Sequence, residues 1–173
     1  MEIRPVQPDD HAALTAFFHR MPEGDRTFFK EDVDDPHVLA SWARPGAARL
    51  IAVENGEVLG SVAVVPLHGW SSHVGDVRLL IDPECRERNV GRALAQRAVL
   101  EAMDMSLAKL IVDVIAEQES LIGMFRALGF EPEALLVDHV RDRSGQVRDL
   151  LVLANSVESQ FASMSAAGIV DSL

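Results

Sequence analysis

Residues 81–94 read Ile81-Asp82-Pro83-Glu84-Cys85-Arg86-Glu87-Arg88-Asn89-Val90-Gly91-Arg92-Ala93-Leu94, and this stretch decides the fold. It joins the end of an apolar segment to the start of a long amphipathic one, so it predicts a buried strand, a polar turn and a helix in direct succession. The first N–H groups of a helix have no intrahelical partner, and the helix dipole favours negative charge at that end. The turn is therefore predicted to bind an anion, with phosphate oxygens as its natural ligands.

The groups that could hold a phosphate lie within this turn. Gly91 lacks a Cβ, so its backbone can approach an anion closely. The backbone N–H groups that we expect to converge on the anion belong to Asn89, Val90, Gly91, Arg92 and Ala93. The guanidinium groups that we expect to add charge-assisted hydrogen bonds belong to Arg86, Arg88 and Arg92. The alternative interpretation is a plain strand–helix turn whose arginines face solvent.

The composition is ordinary for a globular protein, with 48% apolar and 25% charged residues in a chain of 173. Sixteen basic and 27 acidic residues give a net charge of −11. This balance argues against nucleic acid as a partner, because phosphate backbones are bound mainly through accumulated Lys and Arg. It favours basic partners such as amines or lysine-bearing proteins, or serves solubility alone.

The chain shows no signal for a membrane or for secretion. No apolar run approaches the roughly 20 residues of a transmembrane helix, and Met1 to Pro5 do not begin a secretory signal. The single cysteine, Cys85, excludes an internal disulfide and suits a reducing compartment, so we expect a cytoplasmic protein. The six histidines show no metal-ligand spacing, and no metal site is expected.

The order of predicted elements favours an α/β (α+β) domain with a mixed, mostly antiparallel sheet flanked by helices. A short strand and two helices come first, then a hairpin around Asn55-Gly56 and a strand from Val74 to Ile81. A crossover helix, the strand from Lys109 to Val114, a further helix and a last hairpin follow. We assign residues 1–155 to one domain and residues 156–173 to a terminal helix or tail.

The spacing Arg88-x-x-Gly91-x-Ala93 resembles the pyrophosphate loop of the GNAT (GCN5-related) N-acetyltransferases, which reads (Gln/Arg)-x-x-Gly-x-(Gly/Ala). A second match lies downstream, where Leu128-Gly129-Phe130 resembles the Gly-Phe pair that ends a helix in this family. Together the two blocks cover residues 74–130. The resemblance implies a sheet splayed between its fourth and fifth strands, with acetyl-CoA bound in that opening. A homodimer is a candidate oligomeric state.

Several positions depart from the family pattern. Glu87 and Asn89 stand where glycine is common, although Asn tolerates left-handed backbone angles. Gln118 stands near the usual asparagine and would contact the pantetheine arm. Phe125 stands where many members carry a tyrosine that protonates the departing thiolate, and the chain contains no tyrosine. Phe125 then contacts the cofactor or belongs to the core. Either Ser120 or a water supplies the proton to the thiolate, or the thiolate departs unassisted.

Transfer to an amine requires a base, because an ammonium has no lone pair. Asp76 matches the position at which several family members carry an acidic base, and the alternative is that it pairs with Arg78 or solvent. His73 is a second candidate. The transferred carbonyl would be polarised by backbone N–H groups around Leu80 and Ile81.

The resemblance therefore implies an N-acyltransferase that moves acetyl from acetyl-CoA directly to the amino group of a small molecule or protein. The alternative is a GNAT-fold module that binds acyl-CoA, or regulates, with little or no catalysis. Residues 21–42 are predicted to shape the acceptor pocket. Phe28, Phe29 and Trp42 either line it or belong to the core, and the acidic loop from Glu31 to Asp35 could attract a cationic acceptor.

Overall fold

The structure, a computed structural model, describes residues 1–26 and 30–168, apart from the side chains of residues 23, 24, 86 and 87. The strands are β1 (Glu2–Pro5), β2 (Ala48–Glu54), β3 (Glu57–Pro66), β4 (Val74–Ile81), β5 (Lys109–Ile115), β6 (Glu131–Arg141) and β7 (Val147–Ser156). The helices are α1 (His11–Arg20), α2 (Glu23–Arg26), α3 (Pro36–Ser41), α4 (Val90–Asp104), α5 (Glu119–Ala127) and α6 (Val157–Ala166). No helix in these ranges is long and apolar enough to cross a membrane.

The seven strands form one sheet in the order β1-β2-β3-β4-β5-β7-β6. Every neighbouring pair is antiparallel except β4 and β5, which are parallel. Those two strands pair only at their first residues, and the last matched pair is Asp76 with Ile111. Beyond it the strands diverge, so residues 77–81 and 112–115 face an open fork. The mixed, mostly antiparallel sheet and its splay between the fourth and fifth strands are confirmed.

Helices cover both faces of the sheet because its central strands are apolar on both sides. In β3, residues 58–64 are all buried, as expected of a central strand that is covered on both faces. On one face α4, α5 and α6 pack around fully buried residues such as Leu94, Phe125 and Leu153. On the other face α1 and α3 pack around a cluster that includes Phe17, Phe18 and Trp42. The fork between β4 and β5 therefore lies in a sheet with a packed core on each face.

Local turn chemistry sets several element boundaries as expected. Asn55 and Gly56 have φ angles of 53° and 84°, which is the double positive φ of a tight hairpin turn. Pro36 occupies the first turn of α3, and the Asp35 side chain accepts a hydrogen bond from the His37 N–H at 2.8 Å. Gly129 ends the segment after α5 with a φ of 85°.

The structure differs from the sequence-based expectation in two places. Residues 23–26 form one helical turn, α2, where the Pro-Glu-Gly-Asp sequence indicates only a break. Strand β6 begins at Glu131 rather than Leu135, because Glu131 and Pro132 also pair with β7. The segment after residue 156, for which a terminal helix or a tail was expected, forms helix α6, which buries Val157, Gln160 and Met164 against the core.

Candidate active site

The fork between β4 and β5 opens onto a cleft with a volume of about 1010 Å³. One end of this cleft is bordered by the first turn of α4, and the other end reaches the apex of the fork. The lining residues are Asp25, Lys30, Leu79, Leu80, Ile81, Asn89, Gly91, Arg92, Asp113, Ile115, Glu117, Gln118, Glu119, Ser120, Leu121, Met124, His139, Val140 and Leu150. A smaller cavity of about 50 Å³ lies at the apex, and Lys30 and Asp113 line both spaces.

The turn between β4 and α4 is fixed by Asp82. One oxygen of its carboxylate accepts a hydrogen bond from the Glu84 N–H at 3.1 Å, which starts the 3-10 turn of residues 83–88. The other oxygen accepts from Arg20 Nε at 3.0 Å, which ties the turn to α1. Asn89 ends the turn with a φ of 59°, the left-handed geometry that asparagine tolerates where the family often has glycine.

Gly91 allows α4 to begin close to the sheet. A Cβ on this residue would lie 3.2 Å from Met124 Sδ and 3.3 Å from Ile81 Cγ1, closer than ordinary packing. The residue is buried, and it lines the cleft together with Asn89 and Arg92. The absent side chain therefore brings the N-terminus of α4 against both β4 and α5, at the border of the cleft.

Other residues predicted to bind the phosphates are placed differently. The Arg88 guanidinium makes an ion pair with Glu54 at 2.5 Å and does not line the cleft. The Val90 side chain is fully buried in the core, whereas the group predicted to bind is its backbone N–H, which stays a prediction. The Ala93 N–H donates to the Asn89 carbonyl oxygen at 3.0 Å, so the helix itself uses this group. The side chain of Arg86 lies outside the described part of the chain.

The backbone of β4 presents alternate N–H groups to the fork. The Asp82 N–H donates to the Leu59 carbonyl oxygen of β3 at 2.9 Å, and the register between β3 and β4 has no shift. Alternation along the strand then directs the Leu80 N–H to β3 as well, and the N–H groups of Leu79 and Ile81 to the fork. The prediction for the polarising donors thus fits Ile81, while Leu79 takes the position expected for Leu80.

Asp76 lies at the apex of the fork, buried, with 4% of its side chain exposed. It accepts a hydrogen bond from Lys30 Nζ at 2.8 Å and another from Arg78 Nε at 3.0 Å. Lys30 Nζ also lies 2.8 Å from Asp113 Oδ2 on β5, so one ammonium bridges the two diverging strands. The pairing of Asp76 with Arg78 is therefore present, and Asp113, not Asp76, lines the cleft.

In the loop from Glu31 to Asp35, the carboxylates of Glu31 and Asp34 make hydrogen bonds and ion pairs with other residues of the chain. Glu31 accepts hydrogen bonds from Arg78, from Arg49 at 3.0 Å and from Trp42 Nε1 at 2.9 Å. Asp34 makes ion pairs with Arg26 and Arg143, and the hydrogen bond from Arg143 holds the pKa of Asp34 below its usual value. The interpretation of this loop as an attractor for a cationic acceptor is not supported by these contacts.

Of the three aromatic residues predicted either to line the acceptor pocket or to belong to the core, the structure describes Trp42. Trp42 is 2% exposed and packs edge-to-face on Phe18, with ring centroids 5.5 Å apart. It therefore belongs to the core, which was one of the two interpretations. Phe28 and Phe29 lie outside the described residues. His73 is exposed and is not a lining residue of the cleft.

Three predicted site residues, Gln118, Ser120 and Phe125, lie in α5 or directly before it, and two of them line the cleft. Gln118 and the exposed Ser120 line it, and Gln118 Oε1 accepts a hydrogen bond from the Ile115 N–H at 3.3 Å. Phe125 is fully buried and packs edge-to-face on Phe130 at 5.2 Å, so it is a core residue that borders only the small apical cavity.

The cleft residues that were not identified from the sequence include Asp113, Lys30 and His139. Asp113 had a usable signal, because it is the one charged residue between Leu110 and Ile115 of an otherwise apolar strand. Lys30 and His139 had no usable sequence signal, since a single basic residue in a loop or an edge strand predicts exposure to solvent. Their presence at the cleft depends on packing between distant segments.

Comparison with known protein families gives one match, to the acetyltransferase (GNAT) family, over residues 12–130. The curated relatives include the uncharacterized N-acetyltransferase YjgM of Escherichia coli (strain K12), which is 24% identical over 108 residues. The mycothiol acetyltransferase of Paenarthrobacter aurescens (strain TC1) is 27% identical over 129 residues. These alignments cover 62% and 70% of the chain, but only 65% and 39% of the respective relatives.

Solved structures share the fold at low sequence identity. The ribosomal-protein-alanine N-acetyltransferase of Brucella melitensis superposes with a TM-score of 0.79 at 22% identity, covering 90% of this chain and 99% of that one. The yncA protein of Salmonella typhimurium, a putative acetyltransferase solved with its cofactor acetyl-CoA, superposes with a TM-score of 0.78 at 19% identity, covering 90% and 93%. The family match spans well over half of the length of this chain, and the chain therefore belongs to the GNAT acetyltransferase family.

Proposed function

We propose that the protein transfers the acetyl group of acetyl-CoA directly to an amine, with both substrates bound at once. The observation that carries this proposal is the fork between β4 and β5, which opens onto a single cleft. The first turn of α4 stands at one end of this cleft, and a primary ammonium between two carboxylates stands at the apex. The volume of about 1010 Å³ suits a long cofactor arm.

The residues at the two ends would bind different parts of acetyl-CoA. Asn89, Gly91 and Arg92 offer a helix N-terminus and a guanidinium to the phosphates. The N–H groups that we assign to the fork, from Leu79 and Ile81, would donate to the thioester carbonyl and stabilise the charge that develops on its oxygen. Arg88 would join the phosphate site only by leaving Glu54.

The acceptor amine must lose a proton before it attacks, and two carboxylates lie at the apex. Asp113 lines the cleft with 19% of its side chain exposed, so an acceptor can reach it. Asp76 is more deeply buried and binds two cations. We propose Asp113 as the base, with Asp76 as the alternative. Ser120, also in the cleft, is the candidate that returns a proton to the thiolate.

Conservative variants separate the two carboxylates. Asp113→Asn should lower kcat about 100-fold or more, as expected when a general base is lost, without weakening the binding of CoA. Asp76→Asn should have a smaller effect if it only holds Lys30. The measurement is release of free CoA thiol with a fixed amine acceptor. If Asp76→Asn abolishes turnover and Asp113→Asn does not, the roles are the reverse of those proposed.

Cofactor binding is tested by thermal unfolding with and without acetyl-CoA. A ligand at about 100 times its Kd stabilises the folded state by about 2.7 kcal/mol, which raises Tm by several degrees. Gly91→Glu should abolish the shift, because the new side chain would meet Ile81 and Met124 and place negative charge at the phosphate site. Gly123→Glu is the matched control, since a Cβ there meets nothing within 4 Å.

Two results would contradict the proposal. If neither acetyl-CoA nor CoA raises Tm, the cleft does not bind this cofactor. If CoA binds but a broad panel of amines releases no thiol, the protein is a binding or regulatory module. The core position of Phe125, with no phenol at the cleft, is the observation that favours this second candidate.

The acceptor is proposed only by class. The relatives are named after different compounds, a ribosomal-protein alanine in one case and mycothiol in another, so their names select no acceptor for this chain. The net charge of −11 favours a cationic amine. We further propose a cytoplasmic location, supported by the free, buried Cys85, and a homodimer whose existence light scattering on the purified protein would test.

A further inference from the structure

The chain has only two lysines, Lys30 and Lys109, among its 173 residues. Each has 36% of its side chain exposed, and each makes ion pairs with carboxylates. Lys109 pairs with Glu133 at 2.5 Å, on the part of the sheet where β5 begins, and it is not a lining residue of the cleft. Lys30 lines the cleft. Two amines of matched side-chain exposure thus differ in their access to the cleft.

The Lys30 amine lies at the apex of the fork, which is where the reacting end of the cofactor would lie. From Ile81, beside the α4 turn, to Asp76 the chain runs five residues of β4, or about 17 Å at the usual rise of a strand. An extended arm anchored at the α4 turn and running along Leu79 and Ile81 would therefore end near Lys30 Nζ. That nitrogen is held 2.8 Å from Asp76 and 2.8 Å from Asp113.

We propose that Lys30 is itself an acetyl acceptor, so that the protein acetylates its own Lys30 Nζ from acetyl-CoA. This rests on the proposed function, because it requires acetyl-CoA to bind in the cleft. It adds a modification site within the loop that precedes α3. The enzyme supplies the acceptor, the neighbouring carboxylate and the cofactor site from one chain.

The step balances without any further reactant. Asp113 takes one proton from the Lys30 ammonium, and the freed lone pair attacks the carbonyl carbon of the thioester. The new C–N bond forms as the C–S bond breaks, and the CoA thiolate takes up the second proton that the nitrogen loses on becoming an amide. The net change converts Lys30-NH₃⁺ and acetyl-CoA into acetyl-Lys30, free CoA thiol and one proton, which passes from Asp113 to solvent.

Acetylation would change the apex of the fork. Acetyl-Lys30 is neutral, so neither Asp76 nor Asp113 would keep its ion pair with this residue. Asp76 would retain Arg78 Nε at 3.0 Å, whereas Asp113 would lose the cation that links β5 to β4. The modified protein would present an unoccupied Asp113 carboxylate to an incoming amine.

The test is to incubate the protein with isotopically labelled acetyl-CoA, without added amine, and to follow both lysines by mass spectrometry. Lys30 should be labelled at least about tenfold faster than Lys109, because a held amine reacts with a high effective concentration. Its rate should not depend on protein concentration, as expected for transfer within one chain. Lys109→Arg should leave this labelling unchanged, and Lys30→Arg should remove it while preserving the positive charge at the apex.

Equal labelling of Lys30 and Lys109 would overturn the inference, because their matched exposure then accounts for the result. A Lys30 rate that increases with protein concentration would overturn it as well. Thermal shift and thiol release with external amines distinguish failure of the Lys30 inference from failure of the proposed function. If CoA binds and amines are acetylated while Lys30 stays unmodified, the inference fails and the proposed function stands. If CoA does not bind, both fail.

Discussion

Asp10 connects β1 to the start of α1 through its negative charge. Its carboxylate accepts hydrogen bonds from Arg4 Nη1 at 2.6 Å, from Arg4 Nη2 at 2.7 Å and from the Gln7 N–H at 2.8 Å. The hydrogen bonds from Arg4 outweigh the effect of burial and, with Gln7, hold the pKa of Asp10 below its ordinary value of 3.8. The folded state therefore binds this proton less readily than the unfolded state.

The lowered pKa of Asp10 determines how the free energy of unfolding depends on pH. The stability that ionised Asp10 contributes is fully present above its unfolded pKa and is lost as the pH falls through its lower folded pKa. Asp10→Asn should reduce the free energy of unfolding by about 1 to 3 kcal/mol near neutral pH. The difference from the unmodified protein should shrink below about pH 4. Urea unfolding at a series of pH values measures it, with the exposed Asp9→Asn as control. A difference that is constant down to pH 2 would contradict the assignment.

At the scale of the elements, two glycines test how closely α4 and α5 must approach their surroundings. Gly60 lies in β3, where an added Cβ would be 2.9 Å from both Ile81 Cδ1 and Leu94 Cδ1. It would also be 3.1 Å from the Leu80 carbonyl oxygen, a backbone atom that cannot turn away. Gly123 lies on the exposed side of α5, and an added Cβ there meets nothing within 4 Å.

The same substitution should therefore have opposite effects at these positions. Gly60→Ala should destabilise the protein by about 1 to 3 kcal/mol, because α4 and β4 must move to admit the methyl group. Gly123→Ala should stabilise it by about 0.5 to 1 kcal/mol, because alanine is the better helix former. Chemical denaturation measures both. A stabilising Gly60→Ala would show that α4 is not packed as closely on β3 as the structure indicates.

Element boundaries were largely predictable, because they depend on residues near one another in sequence. The Asn-Gly hairpin, the proline at the start of α3 and the glycine after α5 each impose a local backbone geometry. The sequence did not distinguish a helix from a tail at α6, because this Ser- and Ala-rich segment has weak periodicity. Its buried face becomes clear only where Val157 and Met164 pack with the residues of α4.

At the scale of the whole molecule, the fork leaves part of the sheet without strand pairing. Residues 77–81 and 112–115 have no partner across the fork, although β3 and β7 pair with their other edges. Amide groups directed into the fork should exchange with solvent faster than those of β2 and β3. Acetyl-CoA bound between the strands should cover these groups and slow their exchange.

Hydrogen exchange with mass spectrometry measures this effect. Peptides that cover residues 77–81 and 112–115 should gain protection when acetyl-CoA is added, because a bound arm shields the open edges. Peptides from the β2–β3 hairpin should remain nearly unchanged and serve as the internal control. Equal protection throughout the sheet would indicate general stabilisation and not binding in the fork.

The candidate site shows the limit of prediction from sequence. The α4 turn was identified because its strand, glycine and helix are adjacent in the chain. The ion pair that directs Arg88 to Glu54 joins residues 34 positions apart. The contact that brings Lys30 to Asp76 joins residues 46 positions apart. Such pairings depend on how the elements pack, so no local pattern contains them.

The sequence by itself determined the order of strands and helices, the turn that opens α4 and the likeness to the GNAT family, because hydrophobic periodicity and turn residues act over a few positions. Only the tertiary structure decided that Leu79 and not Leu80 directs its N–H into the fork, and that Lys30 bridges Asp76 and Asp113. The physical reason is that strand register and the burial of charge are properties of the assembled sheet. A carboxylate as buried as Asp76 requires cations beside it. Its pairing with Arg78, two residues along the strand, was one of the sequence-based alternatives, whereas the second cation, Lys30, is identified only by the packed loop.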